Sequence, residues 1–377
     1  VAGLDKAIEK CRVIVVCGPG GVGKTTCSAA IAYRLAMQGK KVAVLTVDPA
    51  RRLADSLGLE TLGNVPSRIE HSRFAAQGGE LWAMMLDSRS AYDEMVSRYA
   101  RNEEQKQRIL NNPFYQHFTQ AVGGSHEYAA MEKIYDLSCN GGYDIVILDT
   151  PPSLHALDLL QAPQRMMDVV DESIFKWVIK PYLAAGKLSV QVLSFGSAYI
   201  LKILTRFIGG EMLSDIADFL GSFQGMFGDF HKRAESVQKL LHDPNTAFLV
   251  VSSPSPASMR EAAAFQRELE RAAYNFNGFI VNRSLYDENC LVDLSSLDFS
   301  ELFRSAGYPE EMISSVFGNK LKDNWKIYNH ISKKFKQENQ QLEKSTGKQA
   351  ALVQIPLFER DIHDIESLME FAALLWD

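Results

Sequence analysis

Short, nearly unbroken apolar runs recur along the chain at 13–17, 42–47, 81–86, 145–149, 248–252, 279–282 and 352–355, with longer helix-compatible stretches between them. The runs are rich in Val, Ile and Leu and do not alternate with polar residues, as strands behave when helices cover both faces of a parallel sheet. The pattern therefore predicts an α/β fold, a doubly wound and mostly parallel sheet. Three helix-rich excursions interrupt the series at about 87–140, 153–245 and 284–348. They account for a length of 377 residues without a second core, so 1–377 is expected to form a single domain with large helical insertions. In the second excursion Met212, Ile216, Phe219, Leu220, Phe223, Phe227 and Phe230 fall at helical spacing as one apolar stripe, and 200–208 forms a broader one. Two readings suit such stripes. Either the helices pack on one another, or they form a groove for an apolar client helix, lined by adaptable side chains such as Met166, Met167, Met212 and Met226. The third excursion ends in a polar Gln/Lys/Glu-rich stretch around 333–348, expected to be a solvated helix or a loop.

Directly after the first apolar run stands Gly18-Pro19-Gly20-Gly21-Val22-Gly23-Lys24-Thr25, which fits G-x-x-x-x-G-K-[ST] and opens into a helix-compatible run at 26–38. Gly18, Gly20, Gly21 and Gly23 let the main chain curl so that successive N–H groups point inward at a polyphosphate, with Val22, Thr25 and Thr26 completing the cradle. Lys24 is placed to reach the β- and γ-phosphates, and the Thr25 hydroxyl to take one Mg²⁺ position. The same glycines also contain G-x-G-x-x-G, and Asp48 follows the second apolar run where a dinucleotide fold keeps a ribose-binding acid. Such a loop has no use for Lys-Thr after its last glycine, so phosphoryl chemistry is the better reading. Asp149 ends the run at 145–149, just before Thr150-Pro151-Pro152. Alone, an Asp at a strand end is more often a helix cap. Beside a phosphate loop, the same carboxylate can hold a Mg²⁺-bound water.

Charge and cysteine usage narrow the partners. Forty Lys+Arg against 46 Asp+Glu leave a net charge of −6, which argues against whole-surface affinity for nucleic acid or anionic lipid. Uncharged stretches such as 188–201 are shorter than the ~20 apolar residues that span a bilayer, so no integral membrane segment is expected. No basic stretch leads into an apolar one at the start, and the five cysteines form no CxxC pair. A reducing, cytoplasmic location is expected.

Together these pieces resemble the arsenite-pump ATPase family, which also includes the targeting factors for tail-anchored membrane proteins. The resemblance rests on the phosphate loop, on Asp48-Pro49-Ala50-Arg51-Arg52-Leu53-Ala54-Asp55, and on Asp149-Thr150-Pro151-Pro152-Ser153-Leu154-His155 with Leu159-Leu160-Gln161-Ala162-Pro163. It continues in Phe279-Ile280-Val281-Asn282-Arg283 and Val353-Gln354-Ile355-Pro356-Leu357. It implies a Mg²⁺-dependent ATPase acting as a homodimer, or as a heterodimer with a related ATPase, whose closure around ATP controls a client. The client it implies is a hydrophobic helix, with arsenite or anion efflux and a slowly hydrolysing nucleotide-gated switch as alternatives. In this resemblance the catalytic set is Lys24, Asp55 and Asp149, with Asp55 placing the attacking water, although an exposed helix carboxylate would look the same. His155 would report nucleotide state. Asn282 would read adenine, with Leu285 standing where guanine-specific switches keep an Asp, and Pro356 would belong to the other wall of the base pocket.

The sequence also departs from that pattern. Pro19 stands where the family carries a second Lys, so Arg51, Arg52 or a partner ATPase would have to supply that charge, and an isolated homodimer is expected to hydrolyse ATP slowly. The zinc-binding CxxC of the targeting branch and a metalloid-binding thiol cluster are both absent, Cys290 standing without a neighbouring Cys.

Overall fold

A computed structural model describes residues 3–48, 50–121, 125–150, 161–165, 167, 210–223, 226–284, 315–346, 350–358 and 361–376, together with single positions between 301 and 307. Among the described residues, eight strands form one sheet: β1 Val13–Cys17, β2 Lys41–Thr46, β3 Ser67–Arg68, β4 Glu80–Met85, β5 Ile145–Asp149, β6 Thr246–Ser252, β7 Phe276–Ser284 and β8 Ala351–Pro356. Their order is β3-β4-β2-β5-β1-β6-β7-β8. Every pairing is parallel except β3 with β4. The seven apolar runs are the seven parallel strands; β3, only two residues long, carries no apolar signal at all.

The unbroken apolar runs follow from a sheet covered twice. In β1, Val13, Val15 and Cys17 face one core while Ile14 and Val16 face the other, so every position is buried whichever way it points. The first face carries Ser125–Asn140 and Pro256–Arg271, with the 31-residue helix Ser315–Ser345 packed on the latter. The second face carries Lys24–Met37 and Ile365–Leu374, which pack on each other. The sheet order places β1 at its centre, between β5 and β6, so the loop leaving β1 opens at the carboxyl edge where the chain switches sides.

The helical excursions add to the first core. Phe219, Leu220, Phe223, Phe227 and Phe230 are buried, and the Phe223 ring packs edge to face with Phe227 at 5.4 Å and with Phe230 at 5.8 Å. Tyr128 and Phe114 add contacts at 5.6 Å to Phe230 and 5.4 Å to Phe219. The stripe on Gly210–Phe223 and Phe227–Leu241 thus packs inward, because the helices Glu103–Leu110, Pro113–Ala121 and Ser125–Asn140 lie against it. Met167 and Met226 are buried as well. The broader stripe at 200–208, and Met166, lie outside the described residues. The late polar stretch is helix over 333–345, anchored by buried Phe335 and Leu342, with Lys333, Lys334 and Gln340 among its exposed residues. No helix among the described residues is long and apolar enough to cross a membrane.

The helix feeding β5 is pinned by charge. Arg233 donates through Nε to both oxygens of Glu132 at 2.8 and 2.9 Å and stacks 4.0 Å from the Tyr135 ring. Both partners are mostly buried, at 11% and 9% side-chain exposure. Arg233→Ala removes both of these hydrogen bonds and leaves Glu132 only the more distant Arg98, 4.0 Å away, and we expect a loss of about 3 kcal/mol, read as a lowered urea midpoint. An unchanged midpoint would show that water reaches this pair freely.

Candidate nucleotide site

The loop between β1 and the helix Lys24–Met37 is shaped by backbone that only glycine adopts easily. Gly18, Gly21 and Gly23 have φ of +141°, +74° and +93°, and Gly23 is the N-cap of the helix. Two of these positions are also closed sterically. A Cβ on Gly18 would strike the Val251 carbonyl of β6, and one on Gly23 would strike the Asn282 amide of β7. The neighbouring strands therefore press the loop into its curl. Gly20 lies exposed in the turn, and Val22 turns its side chain into the core while its carbonyl stays in the loop.

The charged side chains converge beneath this curl. Lys24 is only 7% exposed, and its Nζ donates to the Gly18 and Pro19 carbonyls at 3.0 and 2.9 Å. Parallel register sets Thr46 of β2 opposite Asp149 of β5, and the helix start brings Thr25 to the same carboxylate. Asp149 Oδ2 accepts from Thr25 Oγ1 at 2.7 Å and Thr46 Oγ1 at 2.8 Å. Its Oδ1 is buried without a hydrogen-bond partner among the described residues. Burial raises the Asp149 carboxyl to about 6, against the pull of the two hydroxyls and Lys24. Burial likewise holds the Lys24 ammonium below the usual lysine range, with Asp149 opposing.

An unpartnered buried carboxylate oxygen next to a threonine hydroxyl is a donor set of hard oxygens, which suits Mg²⁺. Thr25 and Asp149 are the residues that fit it.

The segment after β2 extends this network. Asp48 N donates to Thr46 Oγ1 at 3.2 Å, Asp48 Oδ1 accepts from Ala50 N at 2.9 Å, and Asp48 Oδ2 accepts from Arg52 Nη1 at 3.1 Å. This turn delivers the short helix Arg52–Ser56, whose Asp55 is exposed. Asp48, Arg52 and Asp55 line one cavity of about 620 Å³ together with Lys24, Thr25, Thr26 and Asn282, a volume within the range of ligand clefts. Apolar Leu357, Phe358, Ile362 and Phe371 line it too.

Asn282 is 5% exposed; its Nδ2 donates to Val22 O at 2.9 Å and its Oδ1 accepts from Arg283 N at 2.9 Å. Two of the amide's four hydrogen-bonding positions are thus spent on the loop and its own turn, and two are left. Pro356 pairs with Ser284 at the exposed end of β8, and the chain beyond it supplies Leu357 and Phe358.

Of the sequence-predicted residues, Lys24, Thr25, Thr26, Asp55 and Asn282 are therefore brought together around one cavity, and Asp149 lies buried behind it, joined through Thr25. Of the two arginines offered for the missing lysine, both exposed, Arg52 lines the cavity and its charge acts on Lys24, whereas Arg51 stands at the N-cap of the short helix. His155, Leu285 and Cys290 lie outside the described residues. Sequence reasoning missed Thr46, a polar residue inside the second apolar run that ends β2 opposite Asp149 at the end of β5. It also missed Phe358, Ile362 and Phe371, which join the site only through the packing of the last helix.

The sequence model of the anion-transporting ATPase family matches residues 11–298. ATPase asna-1 of Caenorhabditis elegans is 26% identical over 288 residues, covering 73% of this chain and 75% of that protein. ATPase GET3A of Arabidopsis thaliana is 26% identical over 282 residues, covering 74% and 69%. A bacterial relative named for an arsenical pump, from Aquifex aeolicus (strain VF5), is 25% identical over 377 residues, covering 97% and 78%. A phosphate loop set between β1 and its helix, with a family match running from before β1 to beyond β7, makes the chain a P-loop ATPase that belongs to the anion-transporting ATPase family.

Proposed function

We propose that the protein is a cytoplasmic, Mg²⁺-dependent ATPase, working as a dimer with its own kind or a related chain, whose closure around ATP controls an apolar client helix. One observation carries the nucleotide part: Thr25 and Thr46 converge on Asp149 and leave one of its buried carboxylate oxygens without a partner among the described residues, while Thr25 and Lys24 line the adjoining cavity. The loop amides and Lys24 hold the β- and γ-phosphates, Thr25 and Asp149 hold Mg²⁺, and Asn282 reads the base against Leu357 and Phe358. Mg²⁺ held by Thr25 and Asp149 would supply positive charge against the negative charge of the polyphosphate. Asp55 accepts a hydrogen bond from the attacking water and keeps it in line with the γ-phosphorus, and Arg52, released from Asp48, approaches the same phosphate.

Asp55→Asn tests the water-placing role. We expect kcat to fall about 10²- to 10³-fold while ATP affinity stays within threefold, measured by single-turnover hydrolysis and titration calorimetry. Parallel loss of affinity would instead mean that Asp55 holds nucleotide.

Exposure of Arg52 and Asp55 at the cavity supports closure by a second chain across this face. Light scattering with Mg²⁺ and a non-hydrolysable ATP analogue reads that step, and a mass unchanged by nucleotide contradicts it. The thiols favour an apolar client over a metalloid. Cys11, Cys17 and Cys27 are buried, and burial drives Cys11 up to about 11 and the other two higher, so they stay protonated and poor as ligands; Cys139 is exposed, which leaves one accessible thiol among the described residues. Stimulation of turnover by an apolar helical peptide, with none by arsenite, is the expected outcome; the reverse result restores the efflux reading. Pro19 favours the slow switch as the second reading, since no lysine stands at that place in the loop.

A further inference from the structure

Arg283 follows Asn282 near the end of β7 and adopts φ of +62°, a left-handed conformation that a long side chain rarely takes and that stores strain. The register between β7 and β8 shifts at this place, between Val281 and Ser284. The conformation is clamped from both sides. Arg283 N donates to Asn282 Oδ1 at 2.9 Å, and beyond it Leu357 N donates to Ser284 O at 2.9 Å. The turn brings the guanidinium to the phosphate loop, where Nη1 donates to the Gly21 carbonyl at 3.3 Å. Arg283 is exposed, lines the same cavity as Gly21, Thr26 and Asn282, and among the described residues forms no ion pair with a carboxylate. Lys24 bonds the Gly18 and Pro19 carbonyls whereas Arg283 bonds the Gly21 carbonyl, so the two cations engage different peptides of the loop.

Building on the nucleotide reading above, we propose that Arg283 is a nucleotide-binding residue whose guanidinium grips the α-phosphate, at a peptide of the loop that Lys24 does not engage. A planar fork of N–H donors suits phosphate oxygens, and strained backbone is retained where the side chain it places has work to do. The α-phosphate is the same in ATP, ADP and the transition state, so this contact contributes uniform binding: it lowers KM and leaves kcat alone.

The test uses the intact chain with Arg283→Ala, Arg283→Gly and Arg283→Lys. Titration with ADP and with ATP is expected to show Ala and Gly weakening both nucleotides on the order of tenfold, with Lys recovering most of the loss. KM should rise in step, kcat should stay within twofold, and added salt should shrink the differences. Arg283→Gly also relieves the φ strain, so its melting temperature should equal or exceed that of the parent and separate folding from binding. If the parent binds nucleotide and Arg283→Gly binds ADP equally well, the assignment is wrong. If kcat falls while KM holds, Arg283 merely positions the loop, and the assignment is wrong again. A parent that binds neither ADP nor ATP overturns the nucleotide reading and this proposal with it.

Discussion

Lys24→Ala is expected to remove measurable ATP hydrolysis, a loss of at least about 10³-fold, and to erase the heat of ATP and ADP binding. The ammonium is buried at 7% exposure and already held by two loop carbonyls, so the parent has bent the loop around the charge before any phosphate arrives. Alanine removes that charge and its three donors together, leaving the amides alone to face a polyphosphate. The fold should survive. The side chain gives up two hydrogen bonds, but it also gives up the desolvation that holds its proton affinity down, and these partly cancel. Circular dichroism and melting should therefore resemble the parent while calorimetry is flat. A Lys24→Ala chain that still hydrolyses ATP at a tenth of the parent rate contradicts the site.

Asp149→Asn should have the second largest effect, and in two opposite directions. Hydrolysis should fall about 10³-fold, because a neutral amide cannot hold Mg²⁺ as a carboxylate does. Stability should rise. Folding lifts the Asp149 carboxyl from 3.8 to about 6, so the folded state keeps a proton that the unfolded chain releases. The stability tied to this group is full below pH 3.8 and is lost as pH rises through 6. At pH 8 the parent carries a buried carboxylate at a penalty of roughly 3 kcal/mol, an order-of-magnitude figure from about two pKa units at ~1.4 kcal/mol each. Asparagine keeps the acceptor for Thr25 and Thr46 and has nothing to ionise. In buffer free of nucleotide and magnesium, variant and parent should unfold at similar denaturant concentrations near pH 4, with the variant ahead by pH 8. A variant no more stable than the parent at pH 8 would mean that Asp149 is solvated. Tolerating this penalty makes physical sense only if the charge has a use, and binding a cation is one.

The legibility of the fold was uneven, for reasons that particular residues show. Val13 to Cys17 read as a buried strand because every position touches one core or the other. The stripe from Phe219 to Phe230 read equally well as packed helices or as an open groove, since periodicity reports that one face is apolar and is silent on what covers it. The aromatic partners Phe114, Tyr115 and Tyr128 come from about a hundred residues earlier, and their arrival decides the matter for those helices. Ser67–Arg68 could not be found at all, because two exposed residues at the edge of the sheet leave no hydrophobic trace.

The phosphate loop belongs wholly to the local sequence. Four glycines, a lysine and a threonine within eight residues specify a backbone curl and its charge before any neighbour is considered, because those constraints act on adjacent φ, ψ angles. What lies around the loop was decided only by tertiary structure. Thr46 reaches Asp149 because β2 lies next to β5 in parallel register, Gly18 must lack a side chain because β6 presses on it, and Arg283 reaches Gly21 because β7 ends in a strained turn. Those relations join residues from a hundred to more than two hundred and sixty positions apart. Strand order sets them, and strand order depends on how two helical layers close over one sheet, which no window of local sequence records.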